Sequence, residues 1–241
     1  MDNRCLITRE YVNNIIRKRP QDIHKGQCGR VLIIAGSRAM TGAAVLCARG
    51  AFRSGAGLVY VSLPAEVFPV LQISVPEAIC ILRSPETDFS MYDAVAVGPG
   101  IGVDEENTQI IRKILKEYKK TVVIDADGLN TVAAADLFED MRTSSADIVI
   151  TPHMGEAARL LDTMPQERWE IADKLSLPHE KVYKTLVTVG NSKNYFVFVI
   201  PIEAELDLKA AAKSVGEKSV EMIHVKDINA ITGYIRGGCT A

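Results

Sequence analysis

VLIIAGSRAMTGAAVLCARGAFR, residues 31–53, decides the fold. Val31–Ala35 is an unbroken apolar run of strand length, Gly36-Ser37 turns the chain, and Gly42–Arg53 reads as a helix of small residues. A strand that is apolar without polar alternation is predicted to be buried on both faces, and a helix straight after it makes a crossover connection. The same unit recurs downstream. Leu58–Leu63 (LVYVSL) predicts a second strand, and Ala94–Val97 (AVAV) a third that ends in Gly98-Pro99-Gly100. Glu105–Tyr118 predicts a helix with Ile110, Ile111, Ile114, Leu115 and Tyr118 on one face and Asp104 as its N-cap. Val122–Ile124 runs into Asp125-Ala126-Asp127-Gly128, and Asp147–Ile150 runs into Thr151-Pro152-His153. Strands alternating with helices in this way predict an α/β fold built on a parallel, doubly wound sheet.

The rhythm changes after about Ser176. Leu186–Val189 (LVTV) and Tyr195–Ile200 (YFVFVI) are strands separated only by the polar turn Gly190–Asn194, which predicts an antiparallel hairpin. A helix over Leu206–Val215 and an extended piece over Val220–Ile223 follow, and the sequence closes on Gly237-Gly238-Cys239-Thr240-Ala241. The hairpin is expected to stand in place of further β-helix-β units, with the option of extending the sheet edge. The segment Thr163–Pro178, with Pro165 and Pro178, is the candidate boundary.

Bulk properties narrow the function classes. A chain of 241 residues holds one large domain or two small ones. Hydrophobic residues at 47% and charged residues at 24% are those of a globular protein, and a net charge of -2 gives no bulk attraction to nucleic acid. Cys5, Cys28, Cys47, Cys80 and Cys239 form no C-x-x-C pair, so a disulfide or zinc framework is not expected and a reducing cytoplasm fits. MDNRCLITREYV lacks the layout of a signal peptide, and no apolar run reaches the length of a membrane span.

Four loops share one geometric property. Gly36-Ser37, Gly98-Pro99-Gly100, Asp125-Ala126-Asp127-Gly128 and Thr151-Pro152-His153 each follow the carboxyl end of a predicted parallel strand. Ligands of open α/β sheets bind at that edge, so the loops are expected to face one crevice. Each has two readings. Gly98 and Gly100 either permit a tight turn or let backbone N–H groups approach a ligand. Asp125 and Asp127 either cap a helix or, for Asp125, meet a polar ligand or hydrated cation. His153 is either a hydrogen-bonded loop histidine or a ligand contact. Gly42, Ala43 and Ala44 either seat a helix close to the sheet or expose its anion-favouring start.

With these residues in view, the sequence resembles the ADP/ATP-dependent NAD(P)H-hydrate dehydratases, a family of ribokinase-like fold. The resemblance rests on HKGQCGRVLIIAGS (His24–Ser37), MTGAAVLCARGAFRSGAGLVYVSLP (Met40–Pro64), VAVGPGIG (Val95–Gly102), VVIDADGLN (Val122–Asn130) and ITPHMGEAARLL (Ile150–Leu161), in the family's order and spacing. It covers roughly residues 1–175, taken as one domain. It implies repair of hydrated nicotinamide cofactors: ADP or ATP phosphorylates the added hydroxyl, and loss of phosphate restores the double bond. It implies substrate contacts at Ala43, Gly100 and His153; Ser37, Gly98, Asp125, Asn130 and Glu156 are additional candidates for lining the site. It implies a small-molecule substrate, no membrane and no protein-held metal cluster, and leaves Mg2+ with the nucleotide and a homo-oligomer open.

Two later motifs of the family do not appear. No glycine in the chain is followed by aspartate, so the Gly-Asp motif that carries the family's catalytic base is absent, and the only Lys-Gly is Lys25-Gly26. Residues 177–241 instead resemble the YbaK-type aminoacyl-tRNA deacylases, over LPHEKVYKTLVTVGNSKNYFVFVIPIEAELDLKAAAKSVGEKSVEMIHVKDINAITGYIRGG, with Lys184 the key residue that resemblance implies. It covers less than half of such a domain and stops before an expected Ser-Pro loop. Four functions are therefore weighed: an impaired hydro-lyase, a small-molecule kinase needing the same aspartate, a tRNA-editing hydrolase acting through Lys184, and a non-catalytic chimera.

Overall fold

The computed structural model describes residues 22, 24–162, 170–224 and 227 of the chain. They fall into two compact units that divide at Ile150/Thr151.

The first unit is a six-stranded parallel sheet: β1 (Arg30–Ile34), β2 (Leu58–Leu63), β3 (Ile79–Leu82), β4 (Ala94–Val97), β5 (Thr121–Ile124) and β6 (Asp147–Ile150), in the order β3-β2-β1-β4-β5-β6. The order reverses beside β1, where the chain first runs outward through β2 to β3 and then returns to add β4. The expected parallel α/β fold is the one observed. Helices α1 (Thr41–Arg53), α2 (Phe68–Ser74), α3 (Glu105–Glu117), α4 (Asp127–Ala134) and α5 (Phe138–Thr143) link the strands.

Register places Leu32, Val95 and Val122 on one face, with Ile34, Val97 and Ile124 beside them, and all are buried. The opposite face carries Ile33 and Val61, which pack with Ala44, Val45 and Ala48 of α1. Small residues on that side of α1 let the helix lie close to the strands. Farther along this face Ala96, Val123 and Val149 are only half-buried, so the expectation of strands buried on both faces holds at Leu32–Ile34 of β1 and not at β4 to β6.

Helix α3 begins as its sequence requires. The Asp104 side chain accepts the Asn107 N–H, Glu105 and Glu106 occupy the first turn, and Lys116 the last, which suits the helix dipole. Tyr118 turns extended and ends the helix one residue before the predicted limit. The predicted strands of this unit start and end within one residue of those observed. Edge strand β3 and helix α2 had no counterpart in the sequence reading, because each is a short run with no clear period.

The second unit holds α6 (Met154–Leu161), α7 (Glu170–Leu175), β7 (Tyr183–Gly190), β8 (Tyr195–Pro201), α8 (Leu208–Ser214) and β9 (Val220–Met222). The predicted hairpin is present: β7 and β8 pair antiparallel with Leu186 opposite Phe198 and Val189 opposite Tyr195. β9 adds to the other side of β7, so the three strands form their own sheet, β8-β7-β9, and do not extend the six-stranded one. One face carries Phe196 and Phe198, packed with Ala211, Ala212 and Val220.

The packing division at Ile150/Thr151 and the change of sequence character near Ser176 mark different things: contacts and motif content. Residues 163–169 of the candidate boundary lie outside the described residues, as do Cys5, Cys239 and Gly237-Gly238. Cys28, Cys47 and Cys80 are free thiols. No helix among the described residues is long and apolar enough to cross a membrane.

Candidate functional site at the strand ends

Three of the four singled-out loops meet within the first unit. Beyond the strand ends the backbone stays tied together. Gly36 N–H donates to the Pro99 carbonyl at 2.8 Å, Gly98 N–H to Ile34 at 3.1 Å, and Asp125 N–H to Val97 at 3.1 Å. The loops after β1, β4 and β5 therefore form one continuous rim.

Two glycines of that rim are required by close approach. Gly98 has φ +135, and a β-carbon there would lie 1.8 Å from the Asp125 carbonyl oxygen. Gly100 has φ +68, and its β-carbon would lie 2.9 Å from that of Ala43 and 3.0 Å from that of Met40. The resemblance pointed to Ala43 and Gly100 together, and the fold places them against each other. Added β-carbons at Gly42 and Gly102 would meet nothing within 4 Å, so there is space beside the start of α1 and the end of the Gly-rich turn. The first turn of α1 carries no acidic residue, and Met40 supplies no side-chain cap. The Ala43 N–H of that turn donates to the Met40 carbonyl at 3.2 Å, and an uncapped helix start without acidic side chains suits an anionic or strongly polar ligand. The Ser37 carbonyl accepts the Met40 N–H at 3.0 Å and closes the turn into this helix.

Asp125 is 8% exposed, and its Oδ1 accepts the following Ala126 N–H at 2.8 Å. Burial, and secondarily the Asp125 charge, pushes the Cys47 thiol up to about 11, so this cysteine of α1 is an inert thiol at neutral pH. Ala126 sits at φ 48, ψ -121, a backbone conformation that non-glycine residues rarely hold. Asp127 is structural: its Oδ2 accepts the Gly102 N–H at 2.9 Å and its Oδ1 accepts from Asn130 Nδ2 at 3.2 Å. Asn130 thus acts on the rim through Asp127.

Arg83, directly after β3, was missed by sequence reasoning. It is 7% exposed, and its Nη2 donates to the carbonyls of Ala35, Gly36 and Ser62. The only signal was an arginine closing the apolar run ICIL before Ser-Pro, which does not say where the side chain goes.

His153 and Glu156 belong to the second unit, where they build the start of α6. His153 Nδ1 accepts the N–H of Gly155 at 2.9 Å and of Glu156 at 3.3 Å. Glu156 answers with Oε2 accepting the His153 N–H at 2.9 Å, and its Oε1 lies 3.0 Å from Nε2. With Nδ1 an acceptor, the ring donates through Nε2, which faces Glu156 Oε1. This reciprocal cap fixes the ring orientation. Lys184 lies in β7 opposite Ile200 and is half-buried. Among the described residues no three His, Cys, Asp or Glu side chains group so as to hold a metal ion.

Comparison with known proteins places these features in context. The family model described as NAD(P)H-hydrate dehydratase matches residues 31–204, and that of the aminoacyl-tRNA editing domain matches residues 169–241. A bifunctional NAD(P)H-hydrate repair enzyme of Dictyoglomus turgidum is 36% identical over 185 residues, covering 69% of this chain and 35% of that protein. An ADP-dependent (S)-NAD(P)H-hydrate dehydratase of Listeria monocytogenes is 36% identical over 151 residues, covering 60% of this chain and 53% of that protein. The chain therefore spans about a third to a half of the length of these curated relatives. Among solved structures, the ADP/ATP-dependent NAD(P)H-hydrate dehydratase of Bacillus subtilis, co-crystallized with ATP/Mg2+, is 26% identical with a TM-score of 0.60, covering 76% of this chain and 66% of that one.

Proposed function

We propose that this chain, which belongs to the NAD(P)H-hydrate dehydratase family, binds NADH or NADPH hydrate at the carboxyl ends of β1 and β4 and dehydrates it very slowly. The observation that carries the reading is the contact of Gly100 with Ala43. A β-carbon at Gly100 would come within 2.9 Å of Ala43, so the Gly-rich turn and the start of α1 form one wall with open space at Gly42 beside it. The start of α1 suits the polar nicotinamide amide and the added hydroxyl. The resemblance also implies a substrate contact at His153, whose ring Glu156 orients within the second unit. Ser37, Gly98, Asp125 and Asn130 shape the rim.

The residues present do not fit the nucleotide half of the reaction. The chain has no Gly-Asp pair, and its one Lys-Gly, Lys25-Gly26, lies in a short 3-10 turn ahead of β1 rather than at a strand's carboxyl end. The family's chemistry takes the added hydroxyl out as phosphate, with ADP or ATP, accompanied by Mg2+, as donor. The Gly-Asp motif that supplies the base in that step is not in the sequence. Loss of a well-placed base removes about 10²–10⁴ of the rate, and loss of phosphate positioning removes more. The substrate is a small molecule, and the setting that fits is cytoplasmic.

The test follows recovery of reduced-nicotinamide absorbance from the hydrate with ADP or ATP present. The expected result is very slow recovery, with hydrate binding retained in the chain and lost in His153→Ala. Recovery at the rate of an intact relative would overturn the impaired-enzyme reading.

A second reading attaches to the editing-domain match over residues 169–241. There Lys184 would serve hydrolysis of mischarged cysteinyl-tRNA for proline. Deacylation of that tRNA by the chain, abolished in Lys184→Ala, is its expected sign, and no deacylation removes it.

A further inference from the structure

We infer that Arg83 is a positioning residue for the proposed hydrate site, its guanidinium holding the Gly36 turn and through it the spacing between the start of α1 and the Gly98–Gly102 turn. The inference rests on the hydrate-site reading for its functional half and on backbone geometry for the rest.

The side chain starts at the edge of the sheet and acts at its centre. Arg83 follows β3, and the order β3-β2-β1 means that it must cross two inter-strand gaps, about 10 Å, to reach the loop after β1. It does so, with Nη2 at 3.2 Å from the Ser62 carbonyl of β2, 3.0 Å from Ala35 and 2.6 Å from Gly36. All three acceptors are backbone groups at or near the strand ends that carry the proposed site. Bonds from a charged donor are roughly twice as strong as neutral ones.

Gly36 is where these bonds take effect. It holds φ +78, its carbonyl is gripped by Arg83, and its N–H reaches Pro99 at 2.8 Å. A β-carbon at Gly36 would lie 2.8 Å from that of Ala44, so α1 rests directly on this residue. Arg83 thus pulls on one side of Gly36 while the Gly98-Pro99-Gly100 turn holds the other. Release the carbonyl and the first turn of α1 loses its fixed distance from Gly100. Burial draws the guanidinium's pKa down, while the charges of Glu106 and Asp104 oppose that fall. Its Nε finds no partner among the described residues, so the cation is kept buried at a cost.

The test compares the full chain with Arg83→Met and Arg83→Lys by two readouts. The first is amide hydrogen exchange at Gly36 and Met40, which needs no ligand. The second is the Kd for NADH hydrate. Methionine fills the space without donating, whereas lysine supplies three donors and a charge. Arg83→Met should speed exchange at Gly36 and Met40 by about tenfold or more, leave β5 and β6 unchanged, and weaken hydrate binding by about tenfold or more. Arg83→Lys should recover most of both. If Arg83→Met does not fold, Arg83→Gln takes its place: faster exchange confined to the same two amides supports the inference, and wild-type exchange overturns it. Unchanged exchange in Arg83→Met overturns it, as does acceleration spread evenly over the whole sheet. Absence of hydrate binding by the wild-type chain overturns the hydrate site and this residue's role in it, whereas binding that survives in Arg83→Met overturns the Arg83 role alone.

Discussion

The two units bury their strands in opposite ways. In the first, Leu32, Ile33 and Ile34 follow one another along β1 at 0%, 2% and 1% exposure, because both faces are covered there. In the second, β8 alternates: Phe196 and Phe198 face α8, while Tyr195, Val197 and Val199 stand 52%, 56% and 41% exposed. A doubly covered parallel strand commits every residue to the core, whereas a small antiparallel sheet with one covering helix commits every second one. The same substitution should therefore cost more in the first unit than in the second.

The largest contrast lies in glycines. Gly98→Ala puts a β-carbon 1.8 Å from the Asp125 carbonyl at φ +135, against backbone that cannot yield. It should cost the first unit more than about 4 kcal/mol in urea unfolding. Gly216→Ala in the second unit shares a positive φ, +73, but meets no atom within 4 Å, and should cost only about 1 kcal/mol. Equal losses would remove the idea that close approach rather than φ alone selects glycine at Gly98.

Next in size is a pair of core deletions. Leu32→Ala should destabilise by about 2–5 kcal/mol, and Val197→Ala by about 0.5 kcal/mol or less, measured from denaturant midpoints. A large loss at Val197 would mean that the exposed face of β8 is covered in solution.

Helix caps should erase the contrast. Asp104 accepts the Asn107 N–H at 2.8 Å, and Asp207 accepts the N–H of Lys209 at 2.9 Å and of Ala210 at 3.0 Å. Each replaced by alanine should cost about 1 kcal/mol, since a cap acts within its own first turn.

The smallest effect is a pH dependence confined to the second unit. His179 lies 3.0 Å from Asp173 through Nε2 and 2.5 Å from Glu203 through Nδ1, and the hydrogen bond to Asp173, then that to Glu203, raises its pKa. A raised folded-state pKa stabilises fully below the unfolded value near 6.5, and the contribution fades as pH rises through the folded value. His179→Gln should flatten that fall in unfolding midpoint between about pH 5 and about pH 8. The amplitude should be small, because all three side chains reach solvent.

Sequence gave up the parts of this molecule that follow from period and punctuation. β1, β2 and β4 to β6 were legible as apolar runs, α3 as a spaced isoleucine stripe behind Asp104, and the hairpin as two strands around Gly190–Asn194. β3 was not, since ICIL is brief and lies at the sheet edge with Ile79 and Leu82 exposed. At the site, Gly98 and Gly100 were legible as glycines after a strand, but which backbone each one touches depends on the lateral order of strands. Arg83 was illegible for the same reason: its target lies two strands away. His153 was flagged by its position after Thr-Pro, and the reciprocal bond to Glu156 needed the helix start to be seen.

On the proposed function, the rim at Ala43 and Gly100 recognises the hydrated cofactor although the sequence has no Gly-Asp motif. Titration calorimetry of NADH hydrate into the full chain, and into Ala43→Leu, tests it most directly. One-site saturable binding by the wild-type chain, lost in Ala43→Leu with the fold intact by circular dichroism, is the predicted result. No binding by the wild-type chain, or equal binding by both proteins, would contradict it.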